Sequence, residues 1–245
     1  MKKILALALV LMLALAAAAE ETVFKVGTNP EFKPFEFIDD EGNIAGIDVA
    51  IMNKICEKLG YTVQWEIMSF DALVPSVNTG KIDASIAGMT ITDERKESVL
   101  FTDPYFDANQ AIIVPAENSK VSCEADLDGK KIGVVLGYTG DLYVTDNFAN
   151  ATVERYEKGV DAVMDLANGR LDAVVIDVAP ANELVAGYNG KLTVLPDVLS
   201  DEQYGIALSL DATELCEKIN AILKEMVEDG SMQECIDMYT GANAK

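Results

Sequence analysis

The sequence contains no histidine, and this absence excludes several kinds of active site. Systems that pair a serine or cysteine nucleophile with histidine cannot be built, and the commonest ligand of catalytic zinc is missing. Positive charge is also scarce: 19 Lys and Arg stand against 41 Asp and Glu, which gives a formal net charge of -22 and a pI near 4.2. Without a basic footprint, nucleic acid is not an expected partner.

Cysteine is limited to Cys56, Cys123, Cys216 and Cys235, and none of them shows C-x-x-C spacing. Neither a zinc knuckle nor a redox dithiol is therefore indicated, and we expect no metal and no cofactor. Cys216 lies about 21 Å before the end of its predicted helix, whereas a disulfide requires Cα atoms within about 7 Å. We predict that Cys216 and Cys235 do not bond to each other.

No uncharged run in the sequence is long enough to span a membrane. Residues 4–19 follow Lys2 and Lys3 and fall short of the roughly 20 residues that a spanning helix needs. The run ends in alanines before Glu20, which is a small-residue cleavage pattern. We predict a secretory signal peptide over residues 1–19 and an exported mature protein; a retained anchor helix is the alternative.

Half of the residues are hydrophobic, and they are arranged as strands that alternate with helices. This order is typical of a mainly parallel α/β sheet. Asp211 is expected to cap the helix that begins at residue 212. Strands are predicted over residues 22–27, 61–68, 82–87, 130–135, 171–176 and 204–210, and helices over residues 47–59, 71–78, 140–148, 160–167, 212–229 and 231–239.

Two segments of the chain, residues 70–84 and 160–173, are similar to each other. Each is predicted to contain a helix, a glycine stop, a basic residue, an apolar residue, the dipeptide Asp-Ala and a buried strand. Junctions between a helix and a strand often look alike, and this is one explanation. The other explanation is that the chain contains two similar α/β lobes.

Residues 87–96 (AGMTITDERK) resemble the signature of family 3 solute-binding proteins, the periplasmic receptors of polar amino-acid ABC importers. The resemblance implies the type II periplasmic binding protein fold, an α/β fold in which two lobes joined by two hinge strands close on a ligand. It implies lobe one at residues 22–109 and 205–245, and lobe two at residues 110–204. Further matches follow in family order at residues 27–36, 46–49, 101–105, 126–131, 204–207 and 229–231.

The resemblance also assigns residues to a binding site. An α-amino acid presents a carboxylate and an ammonium group, so its receptor needs a bidentate cation and an anion. Arg95 matches the carboxylate clamp, assisted by the Thr90 hydroxyl and by the backbone N–H groups of Gly88 and Thr90. Asp177, expected where a buried strand ends, matches the ammonium ligand. Thr139 matches a residue of lobe two that also binds the carboxylate.

The remaining assigned residues concern the ligand side chain. Phe32 and Phe70 match the two positions that pack against it, and Asn29 stands where an Asp often contacts an amine or amide. Ala87 replaces a serine found in some receptors for basic amino acids, and Tyr138 departs from the small residue common at its position. These residues favour an amino acid with a neutral side chain and leave a basic side chain open.

On this resemblance, the protein is a periplasmic or extracytoplasmic receptor that closes on a free α-amino acid. We expect it to deliver the amino acid to the membrane permease of an ABC importer, to act as a monomer and not to be an enzyme. Two alternatives remain open. One is a dehydratase-type enzyme on the same fold, which would need a positioned general acid. The other is a ligand-sensing receptor that reports to a membrane partner.

Overall fold

The computed structural model describes residues 22–240, so the predicted signal peptide at residues 1–19 lies outside the described residues. The strands are β1 Thr22–Thr28, β2 Glu31–Phe32, β3 Glu36–Ile38, β4 Ile44–Ala45, β5 Tyr61–Ile67, β6 Ala84–Ser85, β7 Leu100–Phe101, β8 Phe106–Ala108, β9 Gln110–Pro115, β10 Lys131–Val135, β11 Thr152–Tyr156, β12 Ala173–Asp177, β13 Leu192–Val194, β14 Glu202–Tyr204 and β15 Ala207–Leu208. The α-helices are α1 Ile47–Leu59, α2 Leu73–Asn78, α3 Asp93–Lys96, α4 Thr139–Asn147, α5 Gly159–Ala167, α6 Val178–Ala186, α7 Thr213–Glu228 and α8 Ser231–Asp237. Among residues 22–240, no helix has the length and apolar character needed to cross a bilayer.

Ten of the strands form two separate sheets of five strands each. The first sheet has the order β5-β1-β6-β15-β7, in which β1 is parallel to β5 and β6, and β15 is antiparallel to both of its neighbours. The second has the order β11-β10-β12-β9-β13, in which β10 is parallel to β11 and β12, and β9 is antiparallel to both of its neighbours. Each sheet therefore contains parallel strands and one strand, β15 or β9, that runs antiparallel to both of its neighbours.

The chain crosses between the two sheets twice. The first crossing runs through β8 and the second through β14, and these two strands pair antiparallel with Tyr204 opposite Phe106 and Glu202 opposite Ala108. Because the crossings lie side by side, they form a two-stranded hinge between the sheets. This hinge is close to the cleft, so its side chains can reach the space between the lobes.

The two similar segments of the sequence occupy equivalent places in the two sheets. Asp83 accepts a hydrogen bond from the Lys25 N–H at 2.8 Å, and its own N–H donates to the Lys25 oxygen at 2.8 Å. Asp172 does the same with Lys131, at 3.0 Å and 2.8 Å. The repeated Asp therefore ties each helix–strand junction to the neighbouring parallel strand, and the internal similarity reflects two units built alike.

The same two strands each carry a glycine that the packing requires. A Cβ on Gly27 of β1 would lie 2.4 Å from the Ile82 side chain, and one on Gly133 of β10 would lie 2.6 Å from the Leu171 side chain. Ile82 and Leu171 are the apolar residues that precede the repeated Asp. A larger residue than glycine would therefore force these side chains out of the core in either unit.

Two predictions of local structure are wrong. Residues 204–210 are not one strand, because Tyr204 pairs in the hinge and Ala207 pairs in the first sheet, with Gly205 between them. Asp211 does not cap α7: Ala212 holds the cap position and makes no side-chain capping bond. A turn closed by the Ala212 N–H and the Ser209 oxygen shifts the helix start by one residue.

All four cysteines are free thiols. The prediction that Cys216 and Cys235 do not bond to each other is therefore confirmed. Both lie buried on the inner sides of α7 and α8. Burial raises the pKa of each thiol, which favours the protonated, unreactive form.

Candidate functional site

Arg95 lies on α3, a single helical turn capped by Thr92, whose hydroxyl oxygen accepts from the Arg95 N–H at 3.1 Å. The Arg95 guanidinium donates to the backbone oxygens of Thr90 at 2.7 Å and of Gly137 at 3.0 Å. It lies 5.1 Å from the centre of the Phe70 ring, on which it stacks. Because Gly137 follows β10 of the second sheet, the Arg95 side chain bridges the two sheets.

The Arg95 guanidinium keeps its positive charge in this setting. Burial lowers the pKa of Arg95, and the carboxylates of Asp177 and Glu202 act in the opposite direction. A guanidinium starts from a pKa so high that it remains protonated at physiological pH. No other Lys or Arg of the described residues lines the cavity that Arg95 faces. Arg95 is therefore the one cationic group available there to an anion.

Asp177 is the last residue of β12 and only 3% of its surface is exposed. The Tyr204 hydroxyl of the hinge donates to its Oδ1 at 2.6 Å. The pKa of Asp177 is raised to about 7, first by burial and then by the charge of Glu202, while hydrogen bonds from Tyr204 and Gln110 oppose the shift. A cation placed against this carboxyl group would favour its ionised form.

Two threonine hydroxyls converge on a carboxylate that the protein itself supplies. Thr90 and Thr139 both donate to Glu202 Oε2 at 2.7 Å, and the two hydroxyl oxygens are 3.4 Å apart. Thr139 is the first residue of α4, and Glu202 is the first residue of the hinge strand β14. The two hydroxyls that the resemblance assigned to a ligand carboxylate are therefore arranged to bind one.

Three aromatic rings form the wall of the site. Tyr138 packs edge-on against Phe32, with ring centres 5.2 Å apart, and against Phe70, with ring centres 4.6 Å apart. Its hydroxyl donates to Asn29 Oδ1 at 3.4 Å, and the Asn29 amide nitrogen donates to the Met68 oxygen at 3.0 Å. The Asn29 amide is thereby oriented with its acceptor oxygen toward Tyr138.

The expected role of the Gly88 backbone needs correction. Its N–H does not point to a free ligand position but donates to Asp48 Oδ2 at 2.7 Å, an oxygen that also accepts from the Tyr105 hydroxyl at 2.9 Å. Gly88 has φ +52, and a Cβ there would lie 2.4 Å from the Phe32 ring. Gly88 thus allows the loop to approach the aromatic wall, while Asp48 holds the loop from beneath.

A second carboxyl group lies beside Asp48. Burial raises the pKa of Glu36 well above its usual range, and the neighbouring Asp48 charge raises it further. Burial also raises the pKa of Asp48 to about 6, against the hydrogen bonds from Gly88 and Tyr105. This pair lies outside the cavity and supports the loop that lines it.

The side chains that line the site enclose a cavity of about 10 Å³, the room of about one water molecule. Within residues 22–240 no group of three potential metal-ligating side chains is present. The lining contains every predicted site residue except Asn29, which lies behind Tyr138. It consists of Phe32, Phe70, Ala87, Gly88, Thr90, Arg95, Tyr138, Thr139 and Asp177.

Sequence reasoning missed Glu202, which contacts two of the lining residues. Its only signal in the sequence is its position two residues before Tyr204, where a hinge crossing is predicted. An acidic residue in an acidic protein carries no information of its own. Only the hydrogen bonds of Glu202 with Thr90 and Thr139 in the folded protein reveal that this side chain faces the cleft.

Residues 24–242 match the model of the bacterial extracellular solute-binding proteins, family 3. The matched region contains both sheets, both hinge strands and all residues around the cavity. The chain therefore belongs to this family, as the resemblance of residues 87–96 predicted. The family is one of solute-binding proteins.

The similarity to individual proteins is extensive in both sequence and structure. The ABC transporter arginine-binding protein 1 of Escherichia coli (strain K12) is 34% identical over 244 residues, which cover 98% of this chain and 99% of the relative. Two structures of an ancestral arginine-binding protein, one bound to glutamine and one to arginine, each have a TM-score of 0.85 and 40% identity, covering 90% of this chain and 99% of theirs. The predicted two-lobed α/β fold is confirmed by this likeness.

Proposed function

We propose that this protein is an extracytoplasmic receptor whose two lobes close on a free α-amino acid. The observation that carries the proposal is that Arg95, on the short helix α3 between strands of the first sheet, and Asp177, at the end of β12 of the second sheet, line the same cavity. A zwitterion needs one cation for its carboxylate and one anion for its ammonium group. In a buried site these two charge pairs select strongly for α-amino acids. A compound that lacks the carboxylate or the ammonium group would leave Arg95 or Asp177 buried without a charge partner.

The threonine hydroxyls complete the carboxylate half of the proposed site. Thr90 and Thr139 lie close enough together to donate to a single carboxylate oxygen, as they do to Glu202. Arg95 uses two of its five N–H donors on the backbone oxygens of Thr90 and Gly137, which leaves further N–H groups of a planar guanidinium for a ligand carboxylate. The ligand carboxylate would therefore contact both lobes at once, and this contact would stabilise closure.

The wall of the cavity indicates the class of ligand side chain. The Asn29 amide nitrogen is engaged by Met68, so the group that Asn29 offers toward Tyr138 is an acceptor oxygen. Because Tyr138 separates Asn29 from the cavity, a ligand side chain would meet the rings of Phe32, Phe70 and Tyr138, against which a planar amide or a cation can pack. Both an amide and a guanidinium ligand occur in the ancestral protein that has the same fold.

The receptor is proposed to act as a monomer and to deliver its amino acid to the membrane permease of an ABC importer. The E. coli relative is named as a component of such a transporter. Export by cleavage of residues 1–19 would place the protein in the periplasm or outside the cell. The lobes are proposed at residues 22–109 and 205–245, and at residues 110–204.

The function is tested by thermal unfolding in the presence of each free amino acid. A ligand at about 100 times its Kd should add roughly 2.7 kcal/mol of stability. We expect arginine, lysine, histidine or glutamine to produce the largest shift. A panel in which no α-amino acid raises the unfolding temperature would contradict the proposal.

Arg95→Ala tests the carboxylate clamp. Loss of the guanidinium should weaken binding by about 2–5 kcal/mol, since it removes one partner of a buried charge pair. The matched control is Arg170→Ala, because Arg170 is an exposed arginine paired with Asp165 at 2.7 Å on the surface. Unchanged affinity of the Arg95 variant by titration calorimetry would remove Arg95 from its role.

One observation favours an enzyme as the second candidate. A buried carboxyl group with a pKa of about 7, such as that of Asp177, suits a general acid. A dehydratase acting on a carboxylated ring could use it to protonate a leaving hydroxyl group. Incubation with a prephenate-like substrate, followed by chromatography, distinguishes the two: a receptor returns the compound unchanged. A sensory receptor would instead be distinguished by a membrane partner that is not a permease.

A further inference from the structure

Glu202 connects the two lobes through one carboxylate oxygen. Its Oε2 accepts from Thr90 of the loop after β6 and from Thr139 of α4, each at 2.7 Å, and from Gln110 Nε2 at 3.4 Å. Its Oε1 accepts from the Ser200 hydroxyl at 2.7 Å. Since Thr90 belongs with the first sheet and Thr139 with the second, this carboxylate joins opposite sides of the cleft.

These hydrogen bonds use the same hydroxyl donors, those of Thr90 and Thr139, that a ligand carboxylate would require. A hydroxyl group has one proton to donate, and the protons of Thr90 and Thr139 are both directed at Glu202. A second carboxylate at the same hydroxyls would find only lone pairs and would be repelled by the charge of Glu202. A ligand carboxylate and Glu202 therefore exclude each other from these two threonines.

We propose that Glu202 is an internal latch, a carboxylate of the protein that occupies the ligand-carboxylate position and holds the lobes together until an amino acid displaces it. This inference rests on the proposed function. Binding is then an exchange of one carboxylate for another at Thr90 and Thr139. The latch lowers the affinity for ligand, because each binding event must break its hydrogen bonds.

The structure provides a place for the displaced carboxylate. Glu202 is only partly buried and also lines an open cleft on the outer side of the two threonines. Lys96 lies on the wall of the same cleft. A rotation of the Glu202 side chain would thus transfer its charge to water near a cation, without leaving it buried and unpaired.

The latch is tested by Glu202→Gln and Glu202→Ala, with Glu217→Gln as the matched control. Glu217 is exposed on α7 and lines neither the cavity nor the open cleft beside Glu202. Hydrogen bonds to an ionised acceptor are roughly twice as strong as neutral ones, so the Gln variant weakens the latch and the Ala variant removes it. We expect about a tenfold lower Kd for the amino acid in both variants and an unchanged Kd in the control.

Small-angle X-ray scattering supplies a readout that needs no ligand. Without amino acid, both Glu202 variants should have a larger radius of gyration than the wild type, because the contact of Glu202 with Thr90 and Thr139, which favours the closed arrangement, is weakened or lost. Circular dichroism and a cooperative thermal transition establish that each variant is folded. An equal or higher Kd together with an unchanged radius of gyration would overturn the latch.

The two proposals fail in distinguishable ways. If the wild type binds no amino acid, the proposed function fails, and the scattering comparison still decides whether Glu202 joins the lobes. If the wild type binds and the variants bind no more tightly, the function stands and the latch is wrong. A complex in which Glu202 still accepts from both threonines would also overturn it.

Discussion

At the scale of single residues, the carboxyl group of Asp177 shows how burial and ligand charge oppose each other. Burial and the charge of Glu202 raise its pKa to about 7. An opposite charge within about 4–6 Å lowers a carboxyl pKa by about 1–3 units, so a bound ammonium group would restore ionisation. Binding of an amino acid and release of a proton are therefore linked at this residue.

This linkage predicts that affinity rises with pH. At pH 6, one unit below the pKa, roughly a tenth of Asp177 is ionised, and at pH 8 roughly nine-tenths is. Only the ionised form pairs with ammonium, so Kd at pH 6 should be about tenfold higher than at pH 8. Titration calorimetry in two buffers of different ionisation enthalpy should also detect proton release below pH 7.

The control for this experiment is Asp107→Asn, which removes an exposed carboxyl group of β8 that accepts from Gln203. This variant should keep the same dependence of affinity on pH. A wild-type Kd that is constant between pH 6 and pH 8, or binding that takes up a proton, would contradict the role of Asp177 as the ammonium ligand.

At the scale of secondary-structure elements, the repeated Asp is the feature most directly tied to the fold. Asp83 and Asp172 accept from the backbone N–H groups of Lys25 in β1 and Lys131 in β10, and their own N–H groups donate back to the oxygens of the same residues. Asp172 additionally pairs with Lys120 at 2.7 Å and is less exposed than Asp83. Each Asp therefore fixes the register between a junction and its neighbouring strand.

Replacing either Asp by Ala is expected to destabilise the protein. Each change leaves a backbone N–H without its acceptor, at a cost of about 1 kcal/mol, with the larger loss at the less exposed Asp172. The matched controls are Asp83→Asn and Asp172→Asn, which retain an acceptor oxygen and should lose less. Urea unfolding measures each loss.

The single Trp65 lies on β5 of the first sheet, so its fluorescence reports on that sheet, whereas circular dichroism reports on both. Asp83→Ala should lower the midpoint of the fluorescence transition. Midpoints equal to wild type for both Ala variants would show that the repeated Asp has no structural role.

The bounds of some elements follow from the sequence and those of others do not. The helix predicted over residues 47–59 is observed as α1 with the same bounds, because its apolar period and the left-handed Gly60 are both local. The strand predicted over residues 204–210 divides, because Tyr204 and Ala207 pair with different sheets. An alternating pattern indicates a strand and cannot say which partner the strand joins.

At the scale of the whole molecule, negative charge dominates. The formal net charge is -22, and the excess carboxylates repel one another most strongly when the chain is compact. Ion pairs between the lobes exist, such as Lys158 with Glu31 and Lys33 with Glu183, but their side chains are well exposed. Exposed pairs contribute little to stability, so they offset only a small part of this repulsion.

Salt should therefore stabilise the protein. Raising NaCl from about 0.01 M to about 0.5 M shortens the screening length well below 10 Å and weakens the repulsion between carboxylates. We expect the unfolding temperature at pH 7 to rise across this series, as measured by calorimetry. At a pH near the pI of about 4.2, where the net charge vanishes, the same series should have a much smaller effect. A decrease at pH 7 would contradict this prediction.

The sequence by itself determined the family, the alternation of strands and helices, the internal repeat and most of the cavity lining. These depend on motifs and periodicities that extend over a few residues. Only the tertiary structure decided what those residues contact: Thr90 with Glu202, Thr139 with Glu202, and Gly88 with Asp48, pairs that are 112, 63 and 40 positions apart in the chain. Such contacts follow from how the sheets and the hinge pack together, and no local pattern encodes that packing.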